Sequence, residues 1–341
     1  MTTLPSTDSG GPADPTYRQY TPDQAATYAK HRPSPPPALV NLILGHHAAT
    51  GGRRGVLLDV GCGPGMATRA LSPHFGSAIG CDAGESMIQV ARELGGETAT
   101  GQPIRWEVCD AETIDQIPSL VPTESIDLVT AAYAAHWFDM PKFWAAAAKI
   151  LKPGGTVALW TSFREEVGVS PAFYQCDLPV PATPEEAKVR AIFTRFHAQV
   201  LDAYSVAGTQ VTRDGYRNLP MPWDSPATAR FFERDTFFRR ELDRRDLAGA
   251  GSSTEDVAKT VAADPLAASI WQRVENLLDT MDAVTRWREA HPDLAGTDRD
   301  CVKLLISETM QAVADGKAKI DFRNIFLGKK TVLLCVKRAA G

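Results

Sequence analysis

The chain has 341 residues, 44% of them apolar and 23% charged, the balance of a soluble globular protein with room for one core and a substantial insert. Lys plus Arg number 36 against 41 Asp plus Glu, a formal charge of −5, which argues against a protein that neutralises nucleic-acid phosphates. No apolar run reaches the roughly 18 residues of a bilayer span, so no membrane partner is expected. The small, polar, acidic start is unlike a signal peptide, and residues 1–16 are expected to be a disordered tail on a cytoplasmic protein. The six cysteines (Cys62, Cys81, Cys109, Cys176, Cys301, Cys335) contain no CxxC pair and read as reduced structural thiols.

Residues 17–50 read as an N-terminal cap of helices. Tyr28-Ala-Lys-His-Arg32-Pro-Ser-Pro-Pro-Pro37 leads into the apolar helical pattern Leu39, Val40, Leu42, Ile43, Leu44. Proline suits the first turn of a helix and breaks its interior, so the cluster marks a helix start with a bend before it. A Pro-rich linker is the competing reading. After the Gly51-Gly52 turn, apolar runs at 55–60, 77–82, 104–108, 126–133 and 156–160 read as strands. Helical stretches at 65–75, 86–94 and 138–151 separate them. Near-continuous apolar strands between helices predict a parallel sheet covered on both faces.

Beyond Trp160 the pattern becomes helical, with no clear strand over 163–318. Val189, Ile192, Phe193, Phe196, Val200 and Tyr204 share one helical face, and a second helix is expected over 267–290. A flexible loop is expected at 248–254. Two runs at 320–327 and 331–337, around Gly328-Lys-Lys330, read as a closing antiparallel pair. The expectation is an α/β, doubly wound, Rossmann-like fold with a seven-stranded, mostly parallel sheet and an antiparallel last strand. The core is assigned to 51–162 plus 319–341, and 163–318 is a helical substrate-binding insert.

Ligands of such sheets sit beyond the carboxyl ends of the strands, where strand order reverses. Three acids lie at those places. Asp59 stands two residues ahead of Gly61 in Asp59-Val-Gly61-Cys62-Gly63-Pro-Gly65; Asp82 ends the second strand; Asp110 follows the third. The glycines allow positive φ and close approach of a ligand, and amides at the following helix start suit an anion. Asp82 can accept both hydroxyls of a ribose. Asp110 can accept from an exocyclic amine of adenine, with the Ala111 N–H beside it. Each acid alone would read as a helix cap or solvated group; together they point to a nucleoside ligand with an amino-acid tail.

The turn Asp59–Gly65, Ile79-Gly-Cys-Asp82 and the Met87-Ile88 pair are similar to the seven-stranded S-adenosylmethionine (SAM)-dependent methyltransferases. Ala135-His136-Trp137-Phe138-Asp139, Leu151-Lys-Pro-Gly-Gly155, Thr156-Val-Ala-Leu-Trp160 and Tyr28-x-x-x-Arg32-Pro-Ser34-x-Pro36 resemble the fungal trans-aconitate methyltransferase group. The resemblance covers about 20 to 162 and is weak in the insert. It implies SAM as cofactor and S-adenosylhomocysteine as product. It lays the backbone around Gly61, Cys62 and Gly63 against the methionine part, gives the ribose to Asp82, and counts Asp59, Gly65, Ala83 and Met87 among the cofactor-binding residues. It gives the adenine to Asp110 and Ala111, and the methionine amino group to the backbone near Ala132 and Tyr133. Tyr28 and Arg32 fold over the cofactor, with Arg32 toward its carboxylate. In that group a Trp followed by Gly-Arg suits a carboxylate-rich substrate. Here Gly215 is followed by Tyr216 and the Trp is missing, so aconitate is not implied.

Methyl transfer from a sulfonium is an in-line displacement that depends on positioning. A phenol, enol or alcohol acceptor would benefit from a base, and His136 is the candidate. A histidine packed on Trp137 with its hydrogen bond satisfied is the competing reading. Trp137, Trp160, Tyr174, Tyr216 and Trp223 are candidates for the acceptor wall, against plain core. The expected function is O-methylation of a small molecule, a carboxylic acid or a secondary-metabolite hydroxyl, with no metal. Two alternatives stand beside it. One is a non-methylating cyclisation, elimination or pericyclic step with SAM retained; the other is a non-catalytic SAM-binding regulator. Composition and motifs assign no oligomeric state.

Overall fold

In a computed structural model, which describes residues 17–116, 122–163, 184–247, 268–315 and 330–340, capping chemistry starts the first helix. Thr21 and Gln24 form a capping box ahead of α1 (Pro22–His31), with Pro22 in the first turn. Pro37 likewise opens α2 (Pro37–Ala49), which buries Leu39, Val40, Ile43 and Leu44. The tail 1–16, the loop 248–254, the run 320–327, Tyr174 and Cys176 lie outside the described residues.

The strands are β1 (Val56–Val60), β2 (Ser77–Asp82), β3 (Arg105–Val108), β4 (Ile126–Ala132), β5 (Leu151–Phe163), β6 (Phe232–Leu242) and β7 (Lys330–Arg338). They form one seven-stranded sheet in the order β3-β2-β1-β4-β5-β7-β6. Neighbours from β3 to β5 pair parallel, and β7 runs antiparallel to both β5 and β6. The chain steps outward from β1 to β3 and then crosses back to β4. The resulting reversal opens a crevice at the carboxyl ends of β1 and β4.

Alternation along the strands divides their side chains between two layers. Leu58, Val60, Val129, Val157 and Leu159 pack with Phe143, Trp144 and Ala147. Those three lie on the fifth core helix, Met140–Ile150. Leu57, Leu128, Ala158 and Trp160 pack on the other side with α2, α3 (Met66–Leu71) and α4 (Glu85–Leu94).

The insert has its own core, in which Val189, Phe196, Trp271, Val274, Val284 and Leu305 are buried together. The helical reading of 163–318 needs three corrections. First, the stretch contains β6. Second, that strand is part of the sheet, where β6 pairs antiparallel with one edge of β7 and β5 with the other. Third, the helix read over 267–290 is two, Ala268–Leu278 and Asp282–Ala290. The break is held by partners from elsewhere. Asp279 pairs with Arg288 at 2.7 Å, and the Thr280 carbonyl accepts from Arg32 of the cap at 2.9 Å.

The cap therefore bridges core and insert. Tyr20 and Ala25 pack on Met87 and Val90 of α4, while the Tyr20 hydroxyl lies 3.3 Å from Thr285 Oγ1 in the insert. Among the described residues no helix is long and apolar enough to cross a membrane.

Candidate functional site

β1 runs into Gly61-Cys62-Gly63-Pro64-Gly65, where Gly61, Gly63 and Gly65 have φ of 64°, 54° and 83°. Such values are cheap only without a Cβ. The turn is held from inside. Cys62 N–H donates to the Cys81 carbonyl and Gly65 N–H to the Cys62 carbonyl, each at 3.0 Å. Gly63 N–H donates to Asp82 Oδ2 and Gly84 N–H to Asp82 Oδ1, each at 2.8 Å. Asp82 thus clamps the turn to the end of β2, and burial raises its carboxyl above the usual carboxylate range. These bonds spend amides of the turn itself, whereas the first amides of α3, at Met66 and Ala67, stand at the cavity without a partner inside the helix.

Over the turn opens a cavity that encloses about 1050 Å³ of space, its open mouth included. Ten of the expected cofactor residues line it together: Tyr28, Gly61, Cys62, Gly63, Asp82, Ala83, Met87, Ala111, Ala132 and Tyr133. Tyr133 also carries a positive φ of 54°, a strained conformation of the kind found at binding sites. Arg32, Asp59, Gly65 and Asp110 do not line it. Arg32 Nη2 is spent on Thr280, Gly65 caps α3, and Asp110 is paired with Arg18 at 2.5 Å.

Asp59 lies inside the strand, fully buried, and accepts from the hydroxyls of Thr68 and Thr130, both at 2.6 Å. It ties β1 to α3 and β4. Burial, only partly offset by the two hydroxyls, pushes its carboxyl up to about 6. The neutral acid is therefore the form that folding favours. The associated stability is present in acid and is lost as pH rises from the unfolded value near 4 through about 6. Asp59→Asn removes this titration. Its stability relative to the parent is expected to rise by about 2 kcal/mol between pH 4 and pH 7, measured from denaturant midpoints. A gap that does not change with pH would refute it.

Of the acceptor candidates, Trp137 and Trp160 line the cavity, whereas Tyr216 and Trp223 do not. Trp223 packs at 5.1 Å on Phe237. Tyr216 is buried, and its hydroxyl lies 2.9 Å from His136 Nδ1. His136 is also absent from the lining. Burial pushes its imidazole down to about 3, and its ring lies 4.7 Å from Trp137. A neutral, hydrogen-bonded histidine is what this placement describes.

Motif reasoning missed other walls: Tyr17, Arg18, Pro33 and Pro35 from the cap, Cys109 and Glu112 after β3, and Phe138 beyond β4. The proline cluster beside Arg32 was the available signal for the cap residues. The five described cysteines are free, and no group of His, Cys, Asp or Glu among the described residues could hold a metal.

The arrangement fits a nucleoside with an amino-acid tail. A carboxylate at the end of β2 faces the cavity with lone pairs beyond those given to two amides, as a ribose needs. Met87 and Ala111 add apolar side chains to the lining, and Trp160 Nε1 is a buried donor without an acceptor among the described residues.

Residues 58–159 match a family described as a methyltransferase domain. CRG1 of Saccharomyces cerevisiae, named as a SAM-dependent methyltransferase, is 34% identical over 143 residues, 42% of this chain and 47% of that protein. The chain spans about half the length of that relative and of one from Dictyostelium discoideum, where 46% is covered. The methyltransferase cfoB of Aspergillus candidus is 27% identical over 297 residues, 82% of this chain and 84% of that one. Among solved structures, a Haemonchus contortus phosphoethanolamine N-methyltransferase has 16% identity and a TM-score of 0.46. That match covers 94% of this chain and 58% of the other.

Proposed function

We propose that this chain, which carries a SAM-binding methyltransferase domain over residues 58–159, transfers a methyl group to an oxygen of a small organic acid, enol or phenol. The observation that carries the reading is the Asp82 clamp. One half-buried carboxylate fixes the glycine turn and faces the same cavity as the aromatic side chains Tyr17, Trp137 and Phe138. In this reading the cap 17–50 closes over the cofactor, and the insert 163–318 frames the acceptor. The likeness of 28–36 and 135–160 to the trans-aconitate methyltransferase group supports a small acceptor of this kind.

SAM, when bound, supplies a methyl group on a cationic sulfur. The chain's own contribution is to orient and to exclude water. Asp82 holds a ribose, the turn keeps the backbone close, and the aromatic walls stack a planar acceptor. Both lining carboxylates already accept from backbone amides. Asp82 accepts from two amides, and Glu112 Oε1 accepts from Asp139 N–H at 2.8 Å. This favours acceptors that ionise in solution over alcohols that need a protein base.

The test is incubation with SAM and a panel of carboxylic acids, phenols and enols, read by mass. Gain of one methylene unit with S-adenosylhomocysteine formed supports the reading. An isomerised or dehydrated product with SAM unconsumed overturns it. A further expected result concerns His136, held near pKa 3. The pH–rate profile should show no inflection between pH 5.5 and 7.5 that belongs to it. An inflection there that vanishes in His136→Gln would restore it as a base.

A further inference from the structure

The glycine turn walls the cavity, and its own amides are spent, which leaves to it those at the start of α3. The N–H groups of Cys62, Gly63 and Gly65 all donate within the protein. Arg18, a cation in the lining, is paired with Asp110. The amino-acid tail of SAM nevertheless brings a carboxylate, and an anion leaving water needs donors.

Three buried N–H groups near the cavity have no acceptor among the described residues, Trp160 Nε1, Arg32 Nε and Arg69 Nη1, and of the three residues Trp160 is the one in the lining. Trp160 is wholly buried near the carboxyl end of β5 and lines the cavity. It shares a packed cluster with Cys62 of the turn and Ala132 at the end of β4. Its carbonyl accepts from Tyr133 N–H at 2.9 Å, which ties it to the strand end beside the turn. Arg32 comes from the cap. Its guanidinium lies 5.1 Å from the ring of Tyr28, itself in the lining, and its Nη2 is anchored on Thr280. A buried N–H without an acceptor is costly, and one carried by a residue of the cavity wall, as in Trp160, is explained by a ligand.

We propose that the indole N–H of Trp160 receives the carboxylate of the cofactor's amino-acid tail, beside the Arg32 that the resemblance already turns toward that group. This assigns Trp160 to the cofactor rather than to the acceptor, and it rests on the reading that the cavity takes SAM. The division of labour is then clear. Asp82 recognises the nucleoside end, and Trp160 recognises the tail.

Calorimetry with two probes tests it: S-adenosylhomocysteine, and 5′-methylthioadenosine, which keeps the nucleoside and sulfur but lacks the tail. Trp160→Phe keeps the ring bulk and removes the donor. It is expected to weaken S-adenosylhomocysteine about tenfold or more, the loss of one hydrogen bond to a charged group. Binding of 5′-methylthioadenosine should change less than about twofold, within the noise of such differences. Equal weakening of both probes means a packing role and overturns the assignment, as does no change in either. If the parent protein does not bind S-adenosylhomocysteine at all, the cofactor reading itself fails and the assignment falls with it. Should Trp160→Phe not fold, the indole N–H spectrum of Trp137→Phe answers instead, because Trp160 is then the only tryptophan left in the lining. S-adenosylhomocysteine should move one indole proton downfield that 5′-methylthioadenosine leaves in place. No such difference overturns the assignment.

Discussion

Replacing Asp82 by alanine is expected to weaken S-adenosylhomocysteine about 100-fold. Two charge-assisted hydrogen bonds to ribose hydroxyls are lost, each worth about 1.5 kcal/mol or more. The loss is compounded inside the protein. Gly63 and Gly84 each donate to this carboxylate at 2.8 Å, so the variant leaves both amides without their acceptor and frees the turn. Asp82→Asn does not rescue it. An amide offers one acceptor and presents its NH₂ to a backbone donor on the other side. Because the ribose is common to both probes, 5′-methylthioadenosine should weaken in parallel, unlike the outcome expected for Trp160→Phe. Calorimetry reads all of this. Binding by Asp82→Ala within about threefold of the parent, inside ordinary scatter between variants, would sink the ribose assignment.

The second large effect separates two glycines of one turn. A Cβ on Gly61 would lie 2.6 Å from Ala134 Cβ and 3.1 Å from Phe138 Cζ, at a φ of +64°. The left-handed backbone costs about 1–2 kcal/mol for a residue with a Cβ, and overpacking adds about 1–3 kcal/mol. Gly61→Ala is therefore expected to lose about 3 kcal/mol. A Cβ on Gly63, at φ +54°, meets nothing within 4 Å. Gly63→Ala should lose only the backbone cost of about 1 kcal/mol. Denaturant unfolding of the pair is the measurement, and equal losses would contradict the geometry. Ala134 and Phe138 both line the cavity, so Gly61→Ala should also weaken cofactor binding.

Much of the core was legible because its strands obey simple rules. β2 spans Ser77–Asp82, as its apolar run predicts, and the first five strands occur in the expected places. β6 was not legible. Phe232-Glu-Arg-Asp-Thr-Phe-Phe-Arg-Arg-Glu-Leu242 does not alternate, because its register shifts between Glu233 and Phe238 and breaks the period of two. As an edge strand it also tolerates charge. The helix break at 279–281 depends on Arg32 and Arg288, residues distant from it in sequence or beyond the break, so local periodicity carries no trace of it. In the site, Asp82 and the glycines followed from spacing. Asp59 and Asp82 look alike as acids near strand ends. One position decides the difference: Asp82 is the last residue of its strand, whereas Asp59 is one short of the end and wholly buried. The contributions of Tyr17, Pro33 and Pro35 depend on where the cap docks, which the proline cluster marks as a bend but does not fix.

The place of β7 has a consequence for how the chain reaches its native state. It lies between β5 and β6, and its register joins Thr156 to Lys337 on one side and Phe232 to Arg338 on the other. Both ladders close over very long loops, and such high-contact-order pairings form late in folding. During synthesis β5 and β6 emerge well before the strand that separates them, each with an unpaired edge. Slow assembly and a need for protection of those edges are therefore built into the strand order.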